Sequence, residues 1–369
     1  MGERIAIQHI IHQFAIKGKI SNSVPFGSGH IHDTYRLFND SPTAPDYLLQ
    51  RFNHHVFPNP FQVQANIARV SQHILRKLQQ TGRPQPERYC LQIIPCKDGT
   101  LCYRDPQQQY WRLFVFIPDC HSIDLVDTPE QAYTGAFAFG QFLSQLHDFP
   151  PASLHIILPD FNNVKARLAQ LHSALQSPNA LPDRLQQTAA LCEEALSLAP
   201  TFVEMQNVYE TGHIPQRVTH NDTKFNNLLL NRQGQGQCVI DLDTVMPGMV
   251  HYDFGDGIRT ATGTAPEDEA DLALVAVDQA KLAAYTEGYL DATHHLLQPI
   301  ELHYLPLAGP LMTYLTGIRF LTDFLLGDPY YKTNFETHNL VRAENQLAFA
   351  KMLLAQQGVV QTIIKKYQQ

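Results

Sequence analysis

The densest run of chemistry-bearing side chains is RVTHNDTKFNNLLL at 217–230. One residue separates His220 from Asp222, Asn227 follows Asp222 by five positions, and Asp241 stands fourteen beyond Asn227 in IDLD at 240–243. Phosphoryl transfer from ATP calls for this inventory. One carboxylate, Asp222, orients an acceptor hydroxyl and accepts its proton. An amide and a second carboxylate, Asn227 and Asp241, hold magnesium against the phosphates. A capped turn followed by a buried strand would account for either piece alone. The two together, at this spacing, are far more specific.

H-x-D-x-x-x-x-N followed by a strand ending in Asp is the layout of a kinase catalytic loop, and the separation lets loop and strand lie side by side. A second piece is FGSGHIH at 26–32, between two strand-like runs. A Gly-bearing hairpin can lay backbone N–H groups over phosphates, which makes Gly27, Ser28 and Gly29 nucleotide candidates, although an ordinary hairpin reads the same. The lysine that kinases carry on their third strand has no counterpart in YLLQR at 47–51. Gln50 stands where it would fall, and alternation puts Gln50 and Arg51 on opposite faces, so only one can serve. Asp253-Phe254-Gly255 spells a kinase metal motif but lies 26 residues past Asn227, too far along the chain. Asp253 and Asp256 are expected instead to brace the catalytic loop from below. The pairs His30/His32 and His54/His55 lack a third ligand at metal spacing and read as loop histidines. No Walker A, H-E-x-x-H or G-x-S-x-G pattern is present.

The elements that must position these groups follow from periodicity. Residues 3–17 read as a helix, and strands follow around the glycine turn and at 46–53. A helix is expected over 61–80, stopped by Gly82, Pro84 and Pro86. LQIIPC, TLCYRD and QYWRLFVFIP supply three short strands. Helical patterns then dominate at 129–147, 161–176, 182–211, 268–290, 299–326 and 336–366, interrupted by the apolar β-like segment GQCVIDLDTV at 236–245. The simplest assembly is a small N-terminal nucleotide-binding lobe, 1–117, joined near Phe116–Pro118 to a larger helical lobe, 118–369, for catalysis and acceptor binding.

Composition narrows the partners. The 369 residues carry a net charge of −8 without a Lys/Arg run, which argues against nucleic acid or an anionic membrane. An anion must therefore be held by a metal or a local site. Six cysteines without a C-x-x-C pair read as reduced, packed thiols. The charged start MGERIAIQHI argues against a signal peptide, and no segment approaches the roughly 18 apolar residues of a membrane span, so a cytoplasmic protein is expected.

At these residues the chain resembles the phosphotransferase enzyme family of aminoglycoside and choline kinases, and within it is similar to the N-acetylhexosamine 1-kinase group. The stretches that carry the resemblance include GxGHIxxTY at 27–35, YLLQ at 47–50, RVTHNDTKFNN at 217–227, IDLDTVMPG at 240–248, DFGDGIR at 253–259, AYTEGY at 284–289, RFLTDFLLGDPYY at 319–331 and HNLVR at 338–342. The resemblance implies an α+β fold, bilobal and protein-kinase-like, with an antiparallel sheet in the small lobe. It further implies ATP- and magnesium-dependent phosphorylation of the anomeric hydroxyl of N-acetylglucosamine or N-acetylgalactosamine. Asp222 matches the base, Asn227 and Asp241 match the magnesium ligands, and Asp243 stands as a further candidate ligand. His30, Arg319 and Tyr330 match positions that hold the sugar. For Arg319 a salt bridge to Asp323 at helical spacing is the competing reading. His32 stands where the group carries Asn, and Thr260 where an aromatic is expected.

Three rivals remain open at this point. The same fold could act on an amino alcohol or aminoglycoside, whose positive charge needs an acidic pocket such as EDEAD at 267–271 could supply. The missing lysine would suit a catalytically silent nucleotide-binding regulator. Asp241-Leu242-Asp243 also spells the D-x-D of a nucleotide-sugar transferase, which the upstream H-x-D-x-x-x-x-N disfavours.

Overall fold

The structure, a computed structural model, describes residues 2–27 and 31–368. In chain order its elements are α1 (Gly2–Ile11), β1 (Ile20–Pro25), β2 (Asp33–Asn39), β3 (Tyr47–Phe52), α2 (Pro60–Gln80), β4 (Tyr103–Arg104), β5 (Tyr110–Val115) and β6 (Cys120–His121). There follow α3 (Pro129–Gln145), α4 (Val164–Leu175), α5 (Pro182–Glu210), β7 (Arg217–Thr219), β8 (Leu228–Asn231), β9 (Gly236–Val239) and β10 (Met246–Gly248). The chain closes with α6 (Val250–Ala261), α7 (Gln279–Thr293), α8 (Pro299–Leu325), α9 (His338–Ala355) and α10 (Gln357–Tyr367). Two compact units divide it. The first comprises Met1–His121, Ala152–Leu158 and Leu229–Met246, and the second the remainder. The first unit thus runs past residue 117 to His121, and the later segment bearing Asp241 belongs to it.

In the first unit an antiparallel sheet runs β1-β2-β3-β5-β4. Alternation sends Leu37, Tyr47, Leu49 and Leu113 into a core shared with Ile7, Ile10 and Phe14. Full burial of each such side chain contributes about 1.5–3 kcal/mol. Helix α2 buries a stripe of Val63, Ile67, Val70, Ile74 and Leu78 at helical spacing. From the same helix Asn66 donates to the carbonyls of His155 (2.8 Å) and Val245 (2.9 Å), tying both later segments to this unit.

The second unit is helical. Phe202, Met205, Tyr314, Ile318, Leu321 and Leu347 lie in its core, and Phe202 stacks on Tyr314 at 4.7 Å. Arg217, on the strand that leads into the catalytic loop, forms a two-pronged pair with buried Glu301 of α8 at 2.6 Å on each arm.

Tertiary contacts override local pattern at several places. The first helix ends at Ile11, because Phe14 bridges to Cys96 and the Ala15 N–H donates to the Pro95 carbonyl (2.9 Å). LQIIPC accordingly forms isolated bridges rather than a strand, and TLCYRD yields only two-residue β4. The helix expected over 268–290 begins at Gln279, where the Asp278 side chain caps the Lys281 N–H. The expected 336–366 helix is interrupted at Gln356. Helix α6 was not anticipated, because two glycines in DFGDGIR argue against helix by about 1 kcal/mol each. Packing requires them: a Cβ on Gly255 would lie 2.1 Å from the Ala308 carbonyl, and one on Gly257 would lie 1.7 Å from the Tyr285 hydroxyl. Among the described residues no single helix is long and apolar enough to cross a membrane.

Candidate active site

In the second unit, β7 delivers the chain into the catalytic loop. His220 is buried with its ring edge-on to Phe139 (6.0 Å) and Phe142 (5.9 Å). Asn221 adopts the left-handed conformation, φ +66°, which non-glycine residues hold only where the surroundings enforce it. The enforcing group is Asp253, at the start of α6, whose carboxylate accepts the N–H groups of His220 (2.8 Å) and Asn221 (2.7 Å). The Thr223 hydroxyl donates to the Asp253 carbonyl (2.6 Å). Burial pushes the Asp253 carboxyl up to about 6, against the pull of His220 and the two N–H donors. Asp256 does not share the bracing task anticipated for it: its carboxylate pairs with Arg259 at 2.9 Å.

On this braced turn the Asp222 N–H donates to His220 Nδ1 (3.2 Å), and Lys224 Nζ lies 3.0 Å from the Asp222 carboxylate. Asn227 Nδ2 donates to the Asp222 carbonyl (2.8 Å) and carboxylate (3.1 Å). Burial works to raise the Asp222 carboxyl, but Lys224, His220 and Arg259 together outweigh it and hold it below the ordinary value. The ion pair with Asp222 raises Lys224 in turn, against its own desolvation. Asp222 is therefore a carboxylate at neutral pH, a strong acceptor and a weak base, suited to orienting a hydroxyl. Sequence reasoning passed over Lys224, although a cation two residues past the key Asp was its signal.

The Asn227 amide nitrogen is committed to Asp222, and its Oδ1 has no hydrogen-bond partner among the described residues. In the first unit Asp241 is exposed, just beyond β9, with φ +57° and ψ +55°. Both offer hard oxygen donors, which fits magnesium. That ion takes one or two protein oxygens and completes its shell with phosphates and water. Asp243 is different. It is buried, and its carboxylate accepts from both Nη atoms of Arg112, with Nη2 at 2.9 Å, and from His32 Nε2 at 2.6 Å. Burial would raise its pKa, yet Arg112 and His32 hold it far below the ordinary value.

Gln50 faces this cluster. Its carbonyl accepts from Arg112 Nε (2.8 Å) and its amide donates to the Thr34 hydroxyl (3.0 Å), while Arg51 points outward to Asp33 (2.6 Å). His32 stacks on Phe52 at 4.8 Å. Gly27 has a left-handed φ of +80°. Ser28, Gly29 and His30 lie outside the described residues.

Of the sugar candidates, Arg319 on α8 lies over the rings of Phe161 (5.2 Å) and Tyr331 (5.7 Å). No salt bridge to Asp323 forms. Asp323 instead accepts the N–H groups of Tyr330 and Tyr331, both at 2.9 Å, and the Asn339 amide at 3.0 Å. Burial and the neighbouring Arg319 pull Arg167 down to about 10. Beside Phe161, Asn162 donates to the Asn221 side chain (3.3 Å), which puts the Arg319 group next to the catalytic loop within the same unit. Tyr330 is 64% exposed and makes an edge contact with Tyr331. The Thr260 hydroxyl turns back onto the Asp256 carbonyl (3.0 Å). In EDEAD, Glu267 pairs with Arg259 and Asp268 with His338, both at 3.1 Å.

An antiparallel sheet, a helical unit and a braced H-x-D-x-x-x-x-N loop define a kinase-like phosphotransferase, and solved structures share the fold. An aminoglycoside phosphotransferase from Alicyclobacillus acidocaldarius superposes with a TM-score of 0.60 at 14% identity, covering 95% of this chain and 96% of that one. A microcompartment-associated aminopropanol kinase gives 0.57 at 16% identity, covering 96% and 98%. A spectinomycin phosphotransferase in complex with ADP and spectinomycin gives 0.53 at 13% identity, covering 99% and 98%. The family model described as phosphotransferase enzyme family matches residues 23–291, and the chain belongs to that family.

Proposed function

We propose that this protein transfers the γ-phosphoryl group of ATP to the anomeric hydroxyl of an N-acetylhexosamine, N-acetylglucosamine or N-acetylgalactosamine, to give the sugar 1-phosphate. The observation that carries the choice of acceptor is the ground beside the catalytic loop. Arg319, Phe161 and Tyr331 form an aromatic and cationic group there, with Arg167 adjoining. Guanidinium N–H groups donate to sugar oxygens and aromatic rings cover apolar sugar faces. A cationic aminoglycoside or amino alcohol needs carboxylates, and in EDEAD Glu267 and Asp268 already face Arg259 and His338.

In this reading Asp222 accepts the hydrogen bond of the anomeric hydroxyl. The acceptor oxygen bonds to the γ-phosphorus as its bond to the ADP oxygen breaks, and the hydroxyl proton passes to Asp222 and on to solvent. Asn227 and Asp241 would hold magnesium, which neutralises phosphate charge. Backbone N–H groups of Gly27, Ser28 and Gly29, with the second amide hydrogen of Gln50, would hold the phosphates. His30, Arg319 and Tyr330 would hold the sugar. Positioning and charge stabilisation supply most of the rate. All six cysteines are free thiols, which suits a reducing, cytoplasmic setting.

The test is an ATP-consumption assay over N-acetylhexosamines, plain hexoses, amino alcohols and aminoglycosides, with phosphorus NMR locating the phosphate. A sugar 1-phosphate as the best product supports the reading. Phosphate elsewhere on the sugar, or turnover confined to amines, refutes it, and no ATP consumption with any acceptor leaves a silent regulator.

A further inference from the structure

Asp241 is in the left-handed region, where a residue with a Cβ is strained by about 1 kcal/mol or more unless its surroundings fix it. Those surroundings include the short 3₁₀ turn Leu242–Thr244 that follows directly, and Asp243 anchors that turn. Both oxygens of the Asp243 carboxylate are engaged, by a two-pronged Arg112 and by His32. The anchors are themselves fixed. Arg112 is held by Gln50, its partner across the β3–β5 pair, and lies over the rings of Phe52 (4.9 Å) and Phe114 (5.1 Å). His32 Nδ1 accepts the Asn53 N–H (3.0 Å), which leaves the proton on Nε2 for donation to Asp243. Behind the turn, the Val245 carbonyl takes the Asn66 amide. A carboxylate held this way, with a guanidinium bridging both oxygens and His32 on one of them, already has its charge paired, and the guanidinium beside it disfavours a dication.

We infer that Asp243 is not a metal ligand but, with Arg112 and His32, a clamp that sets the backbone of Asp241 and so positions the metal-binding carboxylate. The clamp is a positioning device for the phosphotransfer reading above and rests on it. It also gives a reason for Gln50 at the strand position where a lysine was expected, since a second cation there would face Arg112.

The probe is manganese–ADP, whose binding is read by electron paramagnetic resonance of the manganese without any acceptor. Arg112→Lys and Asp243→Asn are each expected to weaken manganese–ADP binding by about tenfold or more, the range seen when a group supporting a metal ligand is removed. The acceptor KM of those variants should stay near wild type. If Asp243 were a ligand, removing the competing guanidinium would leave binding unchanged or tighter. An Arg112 variant that binds manganese–ADP like wild type, while Asp243→Asn does not, therefore overturns the clamp. Asp243→Asn leaves the buried Arg112 guanidinium without its carboxylate, which threatens folding. The double variant Arg112→Met/Asp243→Leu replaces the pair by apolar groups and should fold. If it folds and binds with wild-type affinity the clamp is likewise overturned; weakened binding there, together with weakened binding in Arg112→Lys, which keeps Asp243, supports the clamp over a ligand role. Wild-type protein that binds no manganese–ADP would refute the phosphotransfer reading itself, a different outcome from either.

Discussion

The Asp253 carboxylate beneath the catalytic loop offers the sharpest quantitative test, through Asp253→Asn. Asp253 is raised from 3.8 to about 6 by burial. A raised carboxyl favours the folded state on the acid side: its contribution is complete below 3.8 and is lost as pH rises through about 6. The full span corresponds to about 3 kcal/mol. Asn carries no charge to bury, but its one oxygen can serve only one of the two N–H groups at His220 and Asn221. An unpaired buried donor costs about 1–3 kcal/mol. At pH 8 the relief and the loss nearly cancel, so the variant should match wild type within about 2 kcal/mol. At pH 5 nearly half of the relief is gone. The stability deficit of the variant should therefore be larger at pH 5 than at pH 8 by about 1–2 kcal/mol. Urea unfolding of both proteins at the two pH values measures it. Turnover should fall at both, because the His220–Asn221 turn is no longer held through both of its N–H groups. A deficit independent of pH would refute the account of a buried, raised carboxyl; unchanged turnover would refute the brace.

Asp222→Asn should lose turnover by about a thousandfold or more while retaining ATP affinity, measured by isothermal titration beside steady-state rates. Arg319→Ala should raise the sugar KM about tenfold or more, as expected for a lost charged hydrogen bond, with the ATP KM unchanged. Arg217→Ala leaves the Glu301 carboxylate buried without its partner and should destabilise the protein by about 3–5 kcal/mol in urea unfolding. Gly257→Ala drives a methyl into the Tyr285 ring and should cost about 1–3 kcal/mol, read as a lowered thermal midpoint.

The sequence announced the pieces whose meaning lies in local spacing. The loop at 217–230, the β2–β3 strands and α2 follow from motif and period, and Asp253 was placed beneath the loop from its distance along the chain. What stayed hidden depends on partners far away. The glycines of α6 look like helix breakers until Ala308 and Tyr285 are seen against them. LQIIPC has strand composition, but its neighbours allow it only isolated bridges. For Asp243, which the resemblance offers as a further ligand, spacing cannot show Arg112, which meets it across 131 residues of chain. Arg319 had a helical neighbour of opposite charge in Asp323, and only the structure shows that carboxylate spent on backbone N–H groups.

The first unit is not contiguous in sequence, and this has a consequence for how the protein is made. Its opening stretch ends at His121, yet its last segment ends at Met246. At translation rates of roughly 5–20 residues per second, the intervening 125 residues take about 6–25 s to synthesise. Throughout that interval the nascent unit waits without its last segment, and Arg112 waits as a guanidinium without the Asp243 carboxylate. Chaperone dependence should therefore concentrate in this window, and ribosome-bound chains stalled before residue 229 should be far more sensitive to protease than chains stalled well past residue 246.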